Sequence, residues 1–343
     1  MTATTGHRVV ALRWNRTALR ALDQTELPFN ERELELTTAA DVAQAIKRLS
    51  IRGAPLIGVA GGYGLALELQ RDPSDASLES ASKLLREARP TAVNLARAVD
   101  RVTAAARGAP TADRAAIALA EARAIEVEEE AASDAMARHG AGLLRDVRRI
   151  MTHCNTGALA APGRGTALAV IAELADRGRL DEVLATESRP LLQGARLTVY
   201  ELEHLNIPHR LVVDSAAAGL IAAHAVDAVI VGCDRVAANG DVANKVGTYG
   251  LALACNAAGI PFVVAGPTST VDYDTPTGAQ IEIEERDPDE VRTIAGRRLT
   301  GAATQCRNPA FDVTPAALVT ALVTERGVAK PVGEASLGAL QTR

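Results

Sequence analysis

From about Ile150 onward the chain alternates short β-branched runs with longer stretches whose apolar positions recur at helical spacing. Residues 149–152, 182–186, 210–213, 228–232 and 261–265 predict strands. Between them, 166–177, 194–205, 215–224 and 248–258 have the length and apolar spacing of crossover helices in βαβ units. The pattern predicts an α/β fold with a doubly wound, mostly parallel sheet. Ligands of such sheets bind beyond the carboxyl ends of the strands, where the connecting loops gather. Cys154, Glu187, Asp214, Asp234 and Pro267 all fall at predicted strand ends, which points to one shared cleft.

The preceding region reads differently. Helical patterns cover 39–49, 55–70, 78–88, 95–106 and a long stretch, 112–146, with one strand over 9–14. This predicts a smaller, mainly helical N-terminal domain over 1–140 and a Rossmann-like domain over 141–343, joined through the long helix. After Pro267 the periodicity weakens: Ile281-Glu282-Ile283-Glu284 alternates like an exposed strand, and 288–302 reads as loop. A short helix is expected over 316–325, and the last dozen residues read as loose. There is no internal repeat and no low-complexity tract.

A chain of 343 residues with 48% hydrophobic and 23% charged positions is globular rather than disordered. Its formal charge of −5 is carried without basic clusters, so neither nucleic acid nor an anionic membrane is an expected partner. The longest nearly apolar run, Leu56 to Leu67, falls short of the about 20 residues a bilayer needs. Met1 to His7 lack the charged-then-apolar pattern of a secretory signal, which argues for a cytoplasmic protein. Four cysteines, at 154, 233, 255 and 306, form no Cys-x-x-Cys pair and read as free thiols. With aromatics at 2%, the core must come from Leu, Val, Ile and Ala, and stacking on sugars or bases is restricted.

Two residues stand out chemically. Cys154 lies among polar neighbours, His153, Asn155 and Thr156, at a strand end expected to feed a helix, a setting that lowers a thiol pKa. Cysteine is equally at home as a small buried hydrophobe, and Cys233 and Cys255, among apolar neighbours, read that way. Asp234 follows four apolar residues, where burial would raise its pKa and make it a proton donor; capping of the next segment is the plainer alternative. It leads into 236–248, a polar, glycine-punctuated loop carrying Asn244 and Lys245.

Arg52-Gly53-Ala54-Pro55 opens a helix, and a guanidinium beside a helix start suits a phosphate. Arg89-Pro90-Thr91-Ala92 repeats the arrangement, so the two arginines could form a phosphate clamp; each could equally be solvated. Gly58, Gly61, Gly62 and Gly64 read as small residues for close helix packing. Gln193-Gly194-Ala195 and Asn244-Lys245 present amide and ammonium groups suited to a sugar or phosphate. No dinucleotide or P-loop fingerprint, metal-ligand spacing or Gly-x-Ser-x-Gly elbow occurs. Cofactor-free proton chemistry on a small phosphorylated compound remains.

Ile51 to Pro55, Arg89 to Leu95, Thr152 to Gly157, Leu192 to Thr198, Gly232 to Thr248 and Asn308 to Pro315 together closely resemble the methylthioribose-1-phosphate isomerases across nearly the whole chain. The resemblance implies a helical domain, a Rossmann-like domain, a cleft between them and a homodimer. It implies conversion of the aldose 5-methylthioribose 1-phosphate to the ketose 5-methylthioribulose 1-phosphate in methionine salvage, with no metal or nucleotide. By motif it places Cys154 and Asp234 at catalytic positions. It places Arg52, Gly53, Ala54, Arg89, Gln193, Asn244 and Lys245 at substrate-binding positions.

Phosphate on O1 blocks simple opening of the sugar to a free aldehyde, so ring opening needs an acid. Asp234 is expected to protonate the ring oxygen and Cys154 to handle the proton at C2 or its hydroxyl; enolate and hydride-shift routes both fit. The chain departs from the family pattern at Ala96-Arg97, where an aromatic pair is usual, at Ser188 for threonine, and at Ser215-Ala216 for Asn-Met. These changes bear on the pocket around the methylthio group. An isomerase of another pentose phosphate, such as 5-deoxyribose 1-phosphate or ribose 1,5-bisphosphate, is the nearest alternative. A non-catalytic scaffold like the related translation-initiation exchange-factor subunits is the other.

Overall fold

The computed structural model describes residues 8–89 and 92–341. The proposed absence of a secretory signal at Met1 to His7, and Pro90 and Thr91 of the second arginine motif, lie outside the described residues. The chain divides into two compact units, one of residues 8–134 with 156–165, the other of residues 135–155 with 166 onward.

The first unit opens with an antiparallel meander, β1 (Leu12–Asn15), β2 (Ala18–Leu22) and β3 (Glu33–Leu36). Only one strand, over 9–14, was expected here. β3 is Glu-Leu-Glu-Leu, a period-two signal too short to stand out beside the helices that follow. One face buries Leu12, Leu19, Leu34 and Leu36, while the other pairs Arg20 with Glu35 at 2.8 Å. The helices follow as expected: α1 (Ala39–Lys47), α2 (Ala54–Arg71), α3 (Asp75–Arg86), α4 (Val93–Arg107) and α5 (Arg114–Leu143), the last running into the second unit. A capping box between Thr38 and Asp41 starts α1.

The glycines of α2 do serve close packing. A Cβ on Gly61 would lie 2.6 Å from a methyl of Leu95, and one on Gly58 would lie 3.0 Å from the Asn94 carbonyl, both on α4. The α2 aromatic Tyr63 stacks on Trp14 at 5.1 Å and hydrogen-bonds Glu126 through its hydroxyl.

The second unit is built on β4 (Arg149–Thr152), α6 (Ala167–Asp176), β5 (Glu182–Thr186), α7 (Val199–His204), β6 (His209–Val212), α8 (Ala217–Ala222) and β7 (Ala228–Val231). A hairpin of β8 (Arg235–Ala237) and β9 (Val242–Lys245) precedes α9 (Thr248–Ala258) and β10 (Phe262–Ala265). The main sheet has the order β6, β5, β4, β7, β10, all parallel, extended at the β10 edge by a further parallel strand and an antiparallel one. The chain fills the sheet outward from β4 to β6, then returns to the other side of β4 with β7. The order therefore reverses between β4 and β7, and the crevice of a doubly wound sheet opens beyond the carboxyl ends of those two strands.

Downstream, the structure corrects several expectations. β11 (Val271–Asp272) joins the β8–β9 hairpin. Residues 281–284 form no strand; Ile281 is buried against Ala237 and Ala243, and the stretch carries only its neighbour's bridge, Glu285 to Pro309. Within 288–302, expected as loop, lie α10 (Asp289–Arg292) and a hairpin of β12 (Thr293–Ile294) and β13 (Arg297–Arg298). β14 (Phe311–Thr314) pairs with β9, completing a second sheet of four strands.

The helix expected over 316–325 is instead a single 3-10 turn followed by β15 (Ala321–Thr324), buried throughout and parallel to β10, and β16 (Gly327–Ala329). A ten-residue stretch with seven apolar positions fits either state by periodicity, and the vacant edge of β10 selects the strand. The last dozen residues are not loose up to Gln341: α11 (Glu334–Gln341) buries Leu337 and Leu340 in the sheet's core cluster. Among the described residues, no helix is long and apolar enough to cross a membrane.

Candidate active site

Cys154 follows β4 and Asp234 follows β7, the adjacent strands flanking the order reversal. Glu187, Asp214 and Pro267 likewise lie just past the carboxyl ends of β5, β6 and β10. Gln193 lies past β5 at the start of a π-helical turn, Gly194–Thr198, that runs into α7, and Asn244 and Lys245 close β9. Five of the nine expected site residues therefore occupy one edge of the second unit, and Arg52, Gly53, Ala54 and Arg89 belong to the first.

Cys154 does not feed a helix directly. Residues 155–166 intervene before α6, and the backbone at Cys154 is left-handed, with φ +61°. A side chain held there costs about 1 to 3 kcal/mol, and such residues persist only where neighbours over-determine them. The Cys154 N–H donates to the Ser188 hydroxyl oxygen at 2.7 Å, and the Thr198 hydroxyl donates to the Cys154 carbonyl at 2.6 Å.

On either side, His153 and Asn155 are buried. His153 donates through Nε2 to the Val246 carbonyl at 2.9 Å, which leaves Nδ1 to accept from Thr186 at 2.5 Å. Burial lowers the His153 pKa, consistent with this neutral tautomer. The contact ties the β4 end to the turn that follows Lys245. Asn155 Nδ2 donates to Glu201 at 2.7 Å.

The Gln193-Gly194 turn explains its own sequence. A Cβ at position 194 would stand 1.7 Å from the Thr186 carbonyl oxygen, so only glycine fits against the end of β5. Gln193 is 6% exposed, and its Oε1 has no partner among the described residues. A buried amide acceptor of this kind calls for a donor such as a sugar hydroxyl.

Asp234 is half-buried, and its N–H donates to the Ala243 carbonyl at 3.0 Å, which starts the β8–β9 hairpin. The stretch 236–248, expected as a loop, is largely this hairpin. Its turn, Asn239-Gly240, was a legible signal that the surrounding polar residues obscured. Lys245 is 9% exposed; its Nζ donates to the Ala310 carbonyl at 3.0 Å and lies 5.1 Å from the Phe311 ring centroid. Asn244 Nδ2 donates to Thr248 at 3.0 Å.

Asp312, which sequence reading missed, faces the same turn. Its carboxylate accepts from the Gly247 N–H at 2.7 Å and the Tyr249 N–H at 3.1 Å, at the start of α9. Burial nevertheless pushes it up to about 6, against those bonds and the Lys245 charge. Cys233 and Cys255 are structural: burial pushes each thiol up to about 12, out of the nucleophilic range.

In the first unit, Arg52 is buried and Gly53 has φ +94°, with a would-be Cβ 2.3 Å from the Ala160 carbonyl oxygen. Not all of the α2 start is open to an anion. Pro55 has no N–H, the Leu56 N–H donates to Ala160 and the Ile57 N–H to Gly53. Among the described residues, the Gly53 and Ala54 N–H groups donate to no backbone carbonyl.

Residues 50–331 match the Initiation factor 2 subunit family. The methylthioribose-1-phosphate isomerase of Anaeromyxobacter dehalogenans is 53% identical over 327 residues, 95% of each chain. Among solved structures, the 5-methylthioribose 1-phosphate isomerase of Pyrococcus horikoshii superposes with a TM-score of 0.91 at 36% identity, covering 98% of this chain and 97% of that one. A structure titled translation initiation factor eIF-2B subunit delta, from A. fulgidus, superposes with a TM-score of 0.86, also at 36% identity, covering 98% and 100%.

Proposed function

The chain belongs to the Initiation factor 2 subunit family and, within it, to the methylthioribose-1-phosphate isomerases, and we propose that Cys154 and Asp234 carry out the proton transfers of its reaction. The activity is an aldose-ketose isomerisation in methionine salvage: 5-methylthioribose 1-phosphate becomes 5-methylthioribulose 1-phosphate. The 53% identity over 95% of both chains carries that assignment, because the fold is shared with a structure titled as an initiation factor and does not discriminate.

In the proposed chemistry the bond from C1 to the ring oxygen breaks as Asp234 protonates that oxygen. Hydrogen leaves C2 and a hydrogen enters C1. The 2-hydroxyl loses its proton as the C2 carbonyl forms, which restores the proton that Asp234 gave up. Cys154 handles the proton at C2 or its hydroxyl. Support comes from the position of both residues past adjacent central strands at the point where the strand order reverses.

Arg52 with the Gly53 and Ala54 N–H groups, and Arg89, are assigned to the phosphate. Gln193, Asn244 and Lys245 are assigned to the sugar and its anionic end. The homodimer and the cytoplasmic setting are carried as parts of the same proposal. Replacing Asp234 by Asn tests it: conversion of 5-methylthioribose 1-phosphate should fall by at least about 100-fold, while the substrate still binds. Undiminished turnover refutes the acid role, and binding without conversion by the unaltered protein favours a scaffold instead.

A further inference from the structure

Ser188 lies next to Cys154 in space, 34 positions away in sequence, and is itself held in the left-handed region at φ +63° with 0% exposure. Its hydroxyl oxygen accepts the Cys154 N–H at 2.7 Å. Two bonds fix the Ser188 backbone, both to one carboxylate. The Ser188 N–H donates to Asp214 Oδ1 at 2.8 Å and the Arg189 N–H to Asp214 Oδ2 at 2.7 Å. Asp214 stands at the end of β6, so a carboxylate from one strand end sets a serine after the next, and that serine sets the cysteine after β4.

We propose that Ser188, anchored by Asp214, is a positioning residue that holds Cys154 in its left-handed conformation and so aims the thiol at the substrate. The inference rests on Cys154 acting in the reaction. A left-handed residue with a Cβ relaxes toward extended backbone unless both its peptide groups are held. At Cys154 both are, the N–H by Ser188 and the carbonyl by Thr198. Relaxation at φ would swing Cβ and Sγ away from their present direction. Misplacing a reacting group by an ångström costs about 100-fold in rate, while the rest of the binding surface is undisturbed.

The Ser188 oxygen is available for this task. Thr186 already supplies the hydrogen that His153 Nδ1 accepts, at 2.5 Å, so the Ser188 hydroxyl, 3.4 Å from that nitrogen, is not needed there. Its own hydrogen has the Thr186 carbonyl as an acceptor at 3.3 Å, which leaves the oxygen lone pairs for Cys154.

The test compares Ser188→Gly, which tolerates positive φ but lacks the hydroxyl, with Ser188→Thr, which keeps it. Ser188→Gly should lower kcat about 10- to 100-fold with KM within about threefold, and Ser188→Thr should recover most of the loss. Asp214→Asn should lower kcat in the same sense by about tenfold. Rates are taken per folded protein, with thermal melts as the control, because a purely structural loss moves the melt and the active fraction rather than kcat per site. Unchanged kcat in Ser188→Gly, a loss confined to KM, or no recovery in Ser188→Thr overturns the clamp. Should Ser188→Gly not fold, the ratio of Asp214→Asn to wild type decides by the same criterion. Full activity in Cys154→Ser would instead overturn the catalytic role of the thiol, so the two failures are told apart.

Discussion

Asp312 holds the turn that joins Lys245 to α9, and burial pushes its carboxyl up to a value near neutrality, about 6. Because that value exceeds the ordinary carboxyl value of 3.8, the folded protein binds more protons than the unfolded chain between the two. Stability contributed through Asp312 is therefore present below about pH 4 and is lost as pH rises through about 6, on the order of 3 kcal/mol. His153 works oppositely, since burial lowers its pKa and stability rises as pH climbs toward 6.5. Only the difference between wild type and Asp312→Asn isolates the carboxyl. Urea midpoints should converge at pH 6 and diverge in favour of wild type toward pH 4. A constant gap across that range would sink the assignment.

At the scale of elements, β15 and α11 close the β10 side of the main sheet, and α11 does so with two leucines. Leu337 is 1% exposed within the core cluster, and its carbonyl accepts from the Tyr273 hydroxyl at 3.3 Å. Leu337→Ala should destabilise the protein by about 2 to 5 kcal/mol, seen as a lower urea midpoint without a change in slope. A loss under about 0.5 kcal/mol would mean that the terminal helix is not part of the core. The four-stranded sheet matters differently. It converts what reads as a loop into a hairpin in which Asp234 immediately precedes one strand, its N–H bonded to Ala243 of the other, and Lys245 ends that other strand, with Asn244 opposite Asp312. The proposed acid and ammonium are thus carried on paired backbone, which narrows their freedom relative to a mobile loop.

For the whole molecule, the proposed division of labour has a thermodynamic consequence: a ligand that binds only the folded protein stabilises it. At a hundredfold excess over Kd the gain is about 2.7 kcal/mol, so 5-methylthioribose 1-phosphate should raise the melting temperature of Asp234→Asn, which holds the substrate unconverted, by several degrees. The same addition to Asp234→Asn carrying Arg52→Ala or Lys245→Ala should give a much smaller shift. An undiminished shift in both would remove these cations from the phosphate site.

The central strands of the parallel sheet were legible because both of their faces are buried, which makes Ala228–Val231 and Phe262–Ala265 continuous apolar runs, the first between Asp227 and Gly232, the second between Pro261 and Gly266. Crossover helices followed from apolar spacing, and the cysteine and aspartate from their places at strand ends. Local composition was sufficient for those features, since each arises within a few neighbouring residues. It was insufficient for 316–325, where an apolar run becomes a strand only because β10 has an edge to pair. It was insufficient for Ser188, Asp214 and Asp312, whose roles depend on hydrogen bonds to residues 25 to 65 positions away. Residue types and element periods are encoded locally, but the reversal of strand order at β4 and β7 and the left-handed backbone at Cys154 exist only once distant segments pack together.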